Sequence, residues 1–215
     1  MALHPPAGLA GCGRLTDAAG EPLRPGGGAI VAELIGLAGL RTGARVLDVG
    51  CGGGDSLAWL ERRGFIGVGV DRDRTSLALA ASKSASTLLT ADAARLPLPD
   101  GEVDAVLAEC SLSLMADRRA ALAEWRRVLK PGGRLLVADI DWPAPGGDPF
   151  RDDVAAAGFD ILDEADRSEV LAGFAARFVF QHGSLDALWG GGRPKQGEKP
   201  RYRLLIAAPT RSSSP

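Results

Sequence analysis

A chain of 215 residues with 46% hydrophobic and 24% charged side chains holds enough apolar material for one core and reads as an ordinary globular protein. The formal net charge of −2 is mixed along the chain, and no basic stripe offers nucleic acid a footing. Three cysteines at wide, irregular spacing (Cys12, Cys51, Cys110) make neither a disulfide framework nor a CxxC zinc pair, so no metal site is expected. The first fifteen residues lack the basic start and unbroken apolar stretch of a signal peptide. The apolar runs are too short to span a bilayer or are broken by charge, as Glu33 breaks 29–40. A cytoplasmic location is therefore expected.

Residues 1–27 are rich in Gly and Pro and show no period, which suggests an N-terminal arm or lid. Residues 29–40 carry apolar side chains at helical spacing. From there the pattern alternates. Short apolar runs at 45–49, 65–70, 87–89, 103–108 and 133–138 read as strands, with helical stretches at 56–63, 74–82 and 117–129 between them. Such alternation predicts right-handed βαβ units and a parallel sheet covered on both faces. Lys130-Pro131-Gly132-Gly133 stops the helix before the fifth strand. Beyond Pro143 the signal weakens: a helix at 148–157, a strand at 159–162, a helix at 167–182, a Gly-rich loop at 190–199 and a last strand at 202–208. Residues 28–209 then form one domain, and 210–215 a disordered tail.

The strongest local signal is Val46-Leu47-Asp48-Val49-Gly50-Cys51-Gly52-Gly53-Gly54, a buried strand running into a glycine turn and a helix. Ligands of open α/β sheets bind at this end of the strands. A dinucleotide fingerprint counted from Gly50 would need its third glycine where Asp55 stands, and the Gly-Lys-Ser/Thr of a P-loop is absent. Asp48, two residues before the first glycine, suits a cationic ligand better than a phosphate. Asp71 ends the second strand about 20 residues later, where an acid accepts hydrogen bonds from ribose hydroxyls, and Arg72 follows it.

The form D-x-G-x-G-G-G resembles the first motif of class I S-adenosylmethionine-dependent methyltransferases, of the type 11, quinone C-methyltransferase-like kind. Thr90-Ala91-Asp92-Ala93 resembles the family segment whose acid reaches the adenine amino group. Asp104-Ala105-Val106 and Leu129-Lys130-Pro131-Gly132-Gly133 are similar to its fourth strand and the turn before its fifth. The resemblance covers residues 28–142 and only loosely the C-terminal third. It implies a doubly wound, mostly parallel seven-stranded sheet with an antiparallel last strand. It also implies S-adenosyl-L-methionine as donor and S-adenosyl-L-homocysteine as product, held by Asp48, Gly50, Cys51, Gly52, Asp71, Arg72, Asp92, Ala93 and Glu109.

On the acceptor side the sequence leaves alternatives open. Methyl transfer needs alignment of donor and acceptor, exclusion of water and, for a protonated acceptor, a base. The candidates are Glu109, Cys110 and His182, with Ser111, Asp139 and Asp141 near the ends of the fourth and fifth strands. Each has a plain structural reading: an ion pair for Glu109, packing for Cys110, a helix-end cation for His182, loop positioning for Asp139 and Asp141. Asp92 could likewise be a helix cap, Cys51 a packing residue, and Arg24 either a clamp for the donor's carboxylate or a solvated arm residue. The segment 108–114 is similar to the matching stretch of arsenite methyltransferases, in which Cys110 would be one thiol and Cys12 a second; no cysteine follows to supply a third. No Asn/Asp-Pro-Pro-Tyr/Phe or Pro-Cys motif follows the fourth strand, against adenine, glutamine or cytosine as acceptor. The expectation is methyl transfer to a small-molecule acceptor, without nucleic acid or membrane span, by a monomer or homodimer. The alternatives are a thiol-dependent metalloid methyltransferase and a non-catalytic donor-binding assembly or regulatory protein.

Overall fold

Alternate residues of the apolar runs face opposite ways, and both sides of the sheet they form are covered. The computed structural model describes residues 24–142, 147–184 and 199–210. Within them lie strands β1 (Arg45–Val49), β2 (Ile66–Asp71), β3 (Thr87–Thr90), β4 (Val103–Glu109), β5 (Leu129–Asp141), β6 (Phe159–Asp166) and β7 (Arg201–Pro209). The helices are α1 (Gly28–Leu37), α2 (Asp55–Arg62), α3 (Arg74–Lys83), α4 (Arg118–Val128), α5 (Pro149–Ala156) and α6 (Ser168–His182).

The strands form one sheet in the order β3-β2-β1-β4-β5-β7-β6. β1 to β5 pair in parallel, and β7 runs antiparallel to both β5 and β6. This is the doubly wound seven-stranded sheet expected from the sequence. The chain winds one way from β1 through β2 to β3 and the other way from β4 to β5. β1 and β4 therefore flank the switch point, where the flanking loops diverge and leave a crevice.

The period of two sorts the core. Val46, Leu107, Leu136 and Leu204 face α1, α6 and Trp59 of α2. Leu47, Val106, Leu135 and Leu205 face α4 and α5. Trp125 of α4 is fully buried in the second layer, and its Nε1 donates to the Ala93 carbonyl at 3.0 Å. Helix starts follow their caps: Asp73, Asp117 and Asp148 accept from Thr75 N, Ala120 N and Arg151 N at the heads of α3, α4 and α5.

Three local expectations change. α1 ends at Leu37, because Gly39 follows at φ +64° and turns the chain. Lys130–Gly133 does not separate helix from strand; Leu129 already pairs with Val103, and the four residues loop out before Arg134 pairs with Ala105. β6 runs on to Asp166 through a bulge at Leu162, which lets charged residues continue the pairing with β7. A single 3-10 turn at Leu112–Leu114 follows β4. The C-terminal hairpin is tied down by Arg203, a buried cation that meets Asp141 and Asp148 at 2.8 Å each, and Glu164.

Truncating Trp125 to Ala removes a fully buried ring and should cost about 3–5 kcal/mol of unfolding free energy, read by urea denaturation. Trp125→Phe, which keeps most of the packing and drops the bond to Ala93, should cost about 1–2 kcal/mol. Equal losses in the two variants would show that packing contributes little there.

Candidate functional site

The turns after β1, β2, β3 and β4 meet at the switch point. After β1, Gly50 N and Cys51 N both donate to the Val70 carbonyl, at 2.8 and 3.1 Å, which folds the chain sharply back over β2. Gly50 sits at φ +72°, and a Cβ on it would lie 2.7 Å from the Cβ of Ser111. Gly52 is also left-handed, at φ +50°, but a Cβ there would enter open space. Its N–H donates to Asp71 Oδ2 at 2.9 Å, and Asp73 N donates to Oδ1 at 2.8 Å. One carboxylate thus joins the glycine turn to the turn after β2.

The segment after β3 is a tight turn, not a helix start. Asp92 Oδ1 accepts from Ala94 N at 2.8 Å, and Asp92 bridges to Arg95. The helix-cap reading of Asp92 therefore gives way to a side chain that shapes its own loop. These turns enclose a cavity of about 390 Å³. Asp48, Gly50, Cys51, Gly52, Asp71, Arg72, Asp92, Ala93, Glu109 and Cys110 all line it.

The inner end of the cavity is a charge cluster. Arg24, just before α1, reaches in: its Nη1 pairs with Glu109 Oε2 and donates to Ser56 Oγ at 2.5 Å. Ser56 Oγ in turn donates to the same Glu109 oxygen at 2.8 Å. Arg24 is thus part of a buried ion pair, and the solvated-arm reading fails. Burial pulls its guanidinium pKa down, but Glu109, Asp55, Asp48 and Cys110 more than offset this. Glu109 lies above the usual carboxylate range because burial outweighs Arg24 and Ser56. Asp48 is pushed up to about 8, by burial first and by Glu109 second. Asp48 Oδ2, Glu109 Oε1 and Ser111 Oγ are buried without a hydrogen-bond partner.

Cys110 forms the wall after β4 in a left-handed conformation, φ +51°, which is uncommon for a residue with a side chain. Its N–H donates to the Ala138 carbonyl at 2.8 Å, and its Sγ lies 4.0 Å from the hydroxyl of the buried Tyr202. The 3-10 turn follows, and Leu114 and Met115 continue the lining. Asp139, fully buried in β5, holds that turn: its carboxylate accepts Ser113 N at 2.8 Å and Ser113 Oγ at 2.6 Å. Burial pushes Asp139 up to about 6 despite these bonds. Asp139 and Asp141 stand outside the cavity lining; Asp141 is engaged by Arg201 at 2.6 Å and Arg203 at 2.8 Å. Cys51 packs with Leu57 and Leu77, and burial lifts its thiol far above the usual range, so it is no thiolate.

His182 closes α6, but its side chain lies outside the described residues, as does Cys12. No described residue of α6 lines the cavity. Among the described residues no cluster of three His, Cys, Asp or Glu is arranged to hold a metal ion, and no helix is long and apolar enough to cross a membrane. Ser56 and Ser111 are the residues sequence reading missed or left in second rank. Nothing local marks Ser56, which looks like any first-turn serine; only the strand register brings it under Glu109.

Residues 47–137 match the family model described as a methyltransferase domain. The chain is 35% identical over 179 residues to the methyltransferase GfsG of Streptomyces halstedii, which covers 78% of this chain and 62% of that protein. It thus spans less than two thirds of GfsG. It is 31% identical over 164 residues to the O-methyltransferase rstn1 of Aspergillus nomiae, covering 63% of this chain and 72% of that one. The solved [4+2]-cyclase SpnF has the same fold, with a TM-score of 0.69, 24% identity and coverage of 97% and 88%.

Asp139 gives the site a stability signature. Its raised pKa means that stability present at low pH is lost as pH rises through about 6. Asp139→Asn loses an acceptor for Ser113 but carries no charge at any pH. Between pH 5 and pH 8 the unfolding free energies from urea denaturation should therefore shift in favour of the variant, by about 1–2 kcal/mol. A difference independent of pH would show that Asp139 does not titrate in this range.

Proposed function

The chain belongs to the class I S-adenosylmethionine-dependent methyltransferases, and we infer from this that it transfers the donor's methyl group to a small organic acceptor at the strand ends. The observation that carries the reading is the gathering of unpartnered acceptors. Asp48 Oδ2, Glu109 Oε1 and Ser111 Oγ are all buried on one cavity, which also bears Asp71 and Asp92. Buried polar groups are normally satisfied, so these oxygens ask for a ligand that donates hydrogen bonds. S-adenosylmethionine, with an ammonium, a ribose diol and an adenine amine, fits them. A dinucleotide would bring a pyrophosphate against Asp48 and Asp55.

When bound, S-adenosylmethionine supplies a methyl group on a sulfonium, from which a neutral thioether departs. The residues of the chain bind and orient. Each oxygen of Asp71 accepts one main-chain N–H and keeps a lone pair for a ribose hydroxyl. Asp92 and Ala93 take the adenine edge, with Arg72 at the outer rim. The main chain of Gly50, Cys51 and Gly52 passes close to the donor where no side chain intervenes. Asp48, Glu109 and Ser111 receive the ammonium, and Arg24 offers a guanidinium to the adjoining carboxylate.

Cys110, Leu114 and Met115 make an apolar acceptor wall, which excludes water and confines the acceptor beside the methyl group. Among the described residues the thiols on the cavity are Cys110 and the buried, protonated Cys51, which supports the organic acceptor. One relative is named as an O-methyltransferase, so an acceptor hydroxyl is the first to test. Fold alone decides little, since a cyclase shares it.

Calorimetric titration tests the donor. S-adenosylmethionine and S-adenosylhomocysteine should bind and NADH should not. Asp71→Asn should weaken both by about 10- to 100-fold, the value of a charge-assisted hydrogen bond. Methyl transfer from labelled donor to a panel of hydroxylated aromatic and quinol acceptors then tests the acceptor class. Absence of binding by either adenosyl-sulfur ligand would overturn the reading.

A further inference from the structure

The charge at the inner end of the cavity does not balance. Asp48 pairs across the sheet with Leu107, and Glu109 stands two residues further along β4. Residues two apart share a face, so the two carboxylates come off adjacent strands on one side. Among the described residues one guanidinium, that of Arg24, serves both. Arg24 Nη1 is spent on Glu109 and Ser56. Asp48 is 3% exposed, and its Oδ2 has no hydrogen bond.

The other groups around Asp48 do not help it. Asp71, from the end of β2, is also acidic and has given its oxygens to Gly52 N and Asp73 N. Asp55, at the head of α2, is acidic and is neutralised by Lys83 at 2.8 Å. The thiol of Cys51, in the turn beyond β1, stays protonated. A second carboxylate ionised in this buried, acidic corner has no partner among the described residues to offset its desolvation.

We propose that Asp48 holds a proton in the ligand-free protein and that the donor's ammonium group displaces it, so that donor binding releases one proton to solvent. The proposal rests on the donor reading above. The exchange balances: the Asp48 O–H bond breaks, its proton passes to water, and the carboxylate accepts a hydrogen bond from the ammonium N–H. No bond of the ligand changes. Ser111 Oγ, across Gly50, offers the ammonium another acceptor. The free site is thereby kept near neutrality, and it becomes an anion only when a cation arrives to hold it. The shift of Asp48 to about 8 puts the exchange within the neutral range.

The linkage is measurable without knowing the acceptor. Titration of S-adenosylhomocysteine at pH 7, in phosphate and in Tris, gives the proton count from the difference in observed enthalpy. Close to one proton should be released. 5′-Methylthioadenosine keeps the adenosine and the thioether but lacks the amino-acid end, and it should release none. The apparent Kd of S-adenosylhomocysteine should weaken by up to about tenfold per unit as pH falls from 8 to 6, and that of 5′-methylthioadenosine should stay level. In Asp48→Asn, S-adenosylhomocysteine should bind with the release abolished. Binding with no proton released by the unmodified chain, or equal release by the two ligands, overturns the proposal whether or not the variant folds. Release that survives Asp48→Asn and disappears in Glu109→Gln assigns the proton to Glu109 and overturns it as well. Failure of S-adenosylhomocysteine to bind at all counts against the donor reading instead.

Discussion

Two carboxylates on adjacent strands facing the guanidinium of Arg24 is the constraint around which this molecule is arranged. Asp48 and Glu109 are placed by the pairing of β1 with β4, and Arg24 reaches them from the segment before α1. Charges that close together and that far from water are tolerated only when the surrounding structure holds them or a ligand neutralises them. Here the structure does half of this. Ser56 and Arg24 satisfy one oxygen of Glu109, and the remaining oxygens are left for something that enters the cavity.

The rest of the fold keeps that corner rigid. The glycine turn is fastened at both ends, to Val70 through two main-chain bonds and to Asp71 through Gly52. Gly50 lets Ser111 approach to a distance no side chain would permit. On the far wall Asp139 holds the 3-10 turn, and Trp125 fastens the Ala93 carbonyl from α4. Asp139 and Trp125 sit behind the cavity lining, whereas Val70 and Asp71 belong to it. A corner fastened this way keeps the turns that line the cavity in fixed positions relative to one another.

The C-terminal third follows another logic. Its hairpin is secured by Arg203 among Asp141, Asp148 and Glu164, with Phe150 beneath the guanidinium at 5.7 Å. These residues meet from β5, α5, β6 and β7, and none of them lines the cavity. Asp141, a candidate at the strand end by sequence, is consumed by this network. Position towards the carboxyl end of a strand brings Asp48, Asp71 and Glu109 to the cavity, and does not do so for Asp139 and Asp141, whose oxygens are already used.

By itself the sequence determined the sheet, its two faces and the cavity-lining turns. Apolar alternation, the glycines at 50, 52 and 54 and the acids that close β1, β2 and β4 are local signals, written within a few residues of where they act. Tertiary structure alone decided how those acids are used. Arg24 lies 85 residues from Glu109, and Ser56 lies 53 from it. No periodicity or motif length spans such distances, because strand order, not sequence spacing, sets which loops meet. The same holds for the excess of buried negative charge: every carboxylate in it is ordinary in the sequence, and only their convergence at a buried corner makes one of them a poor place for a charge.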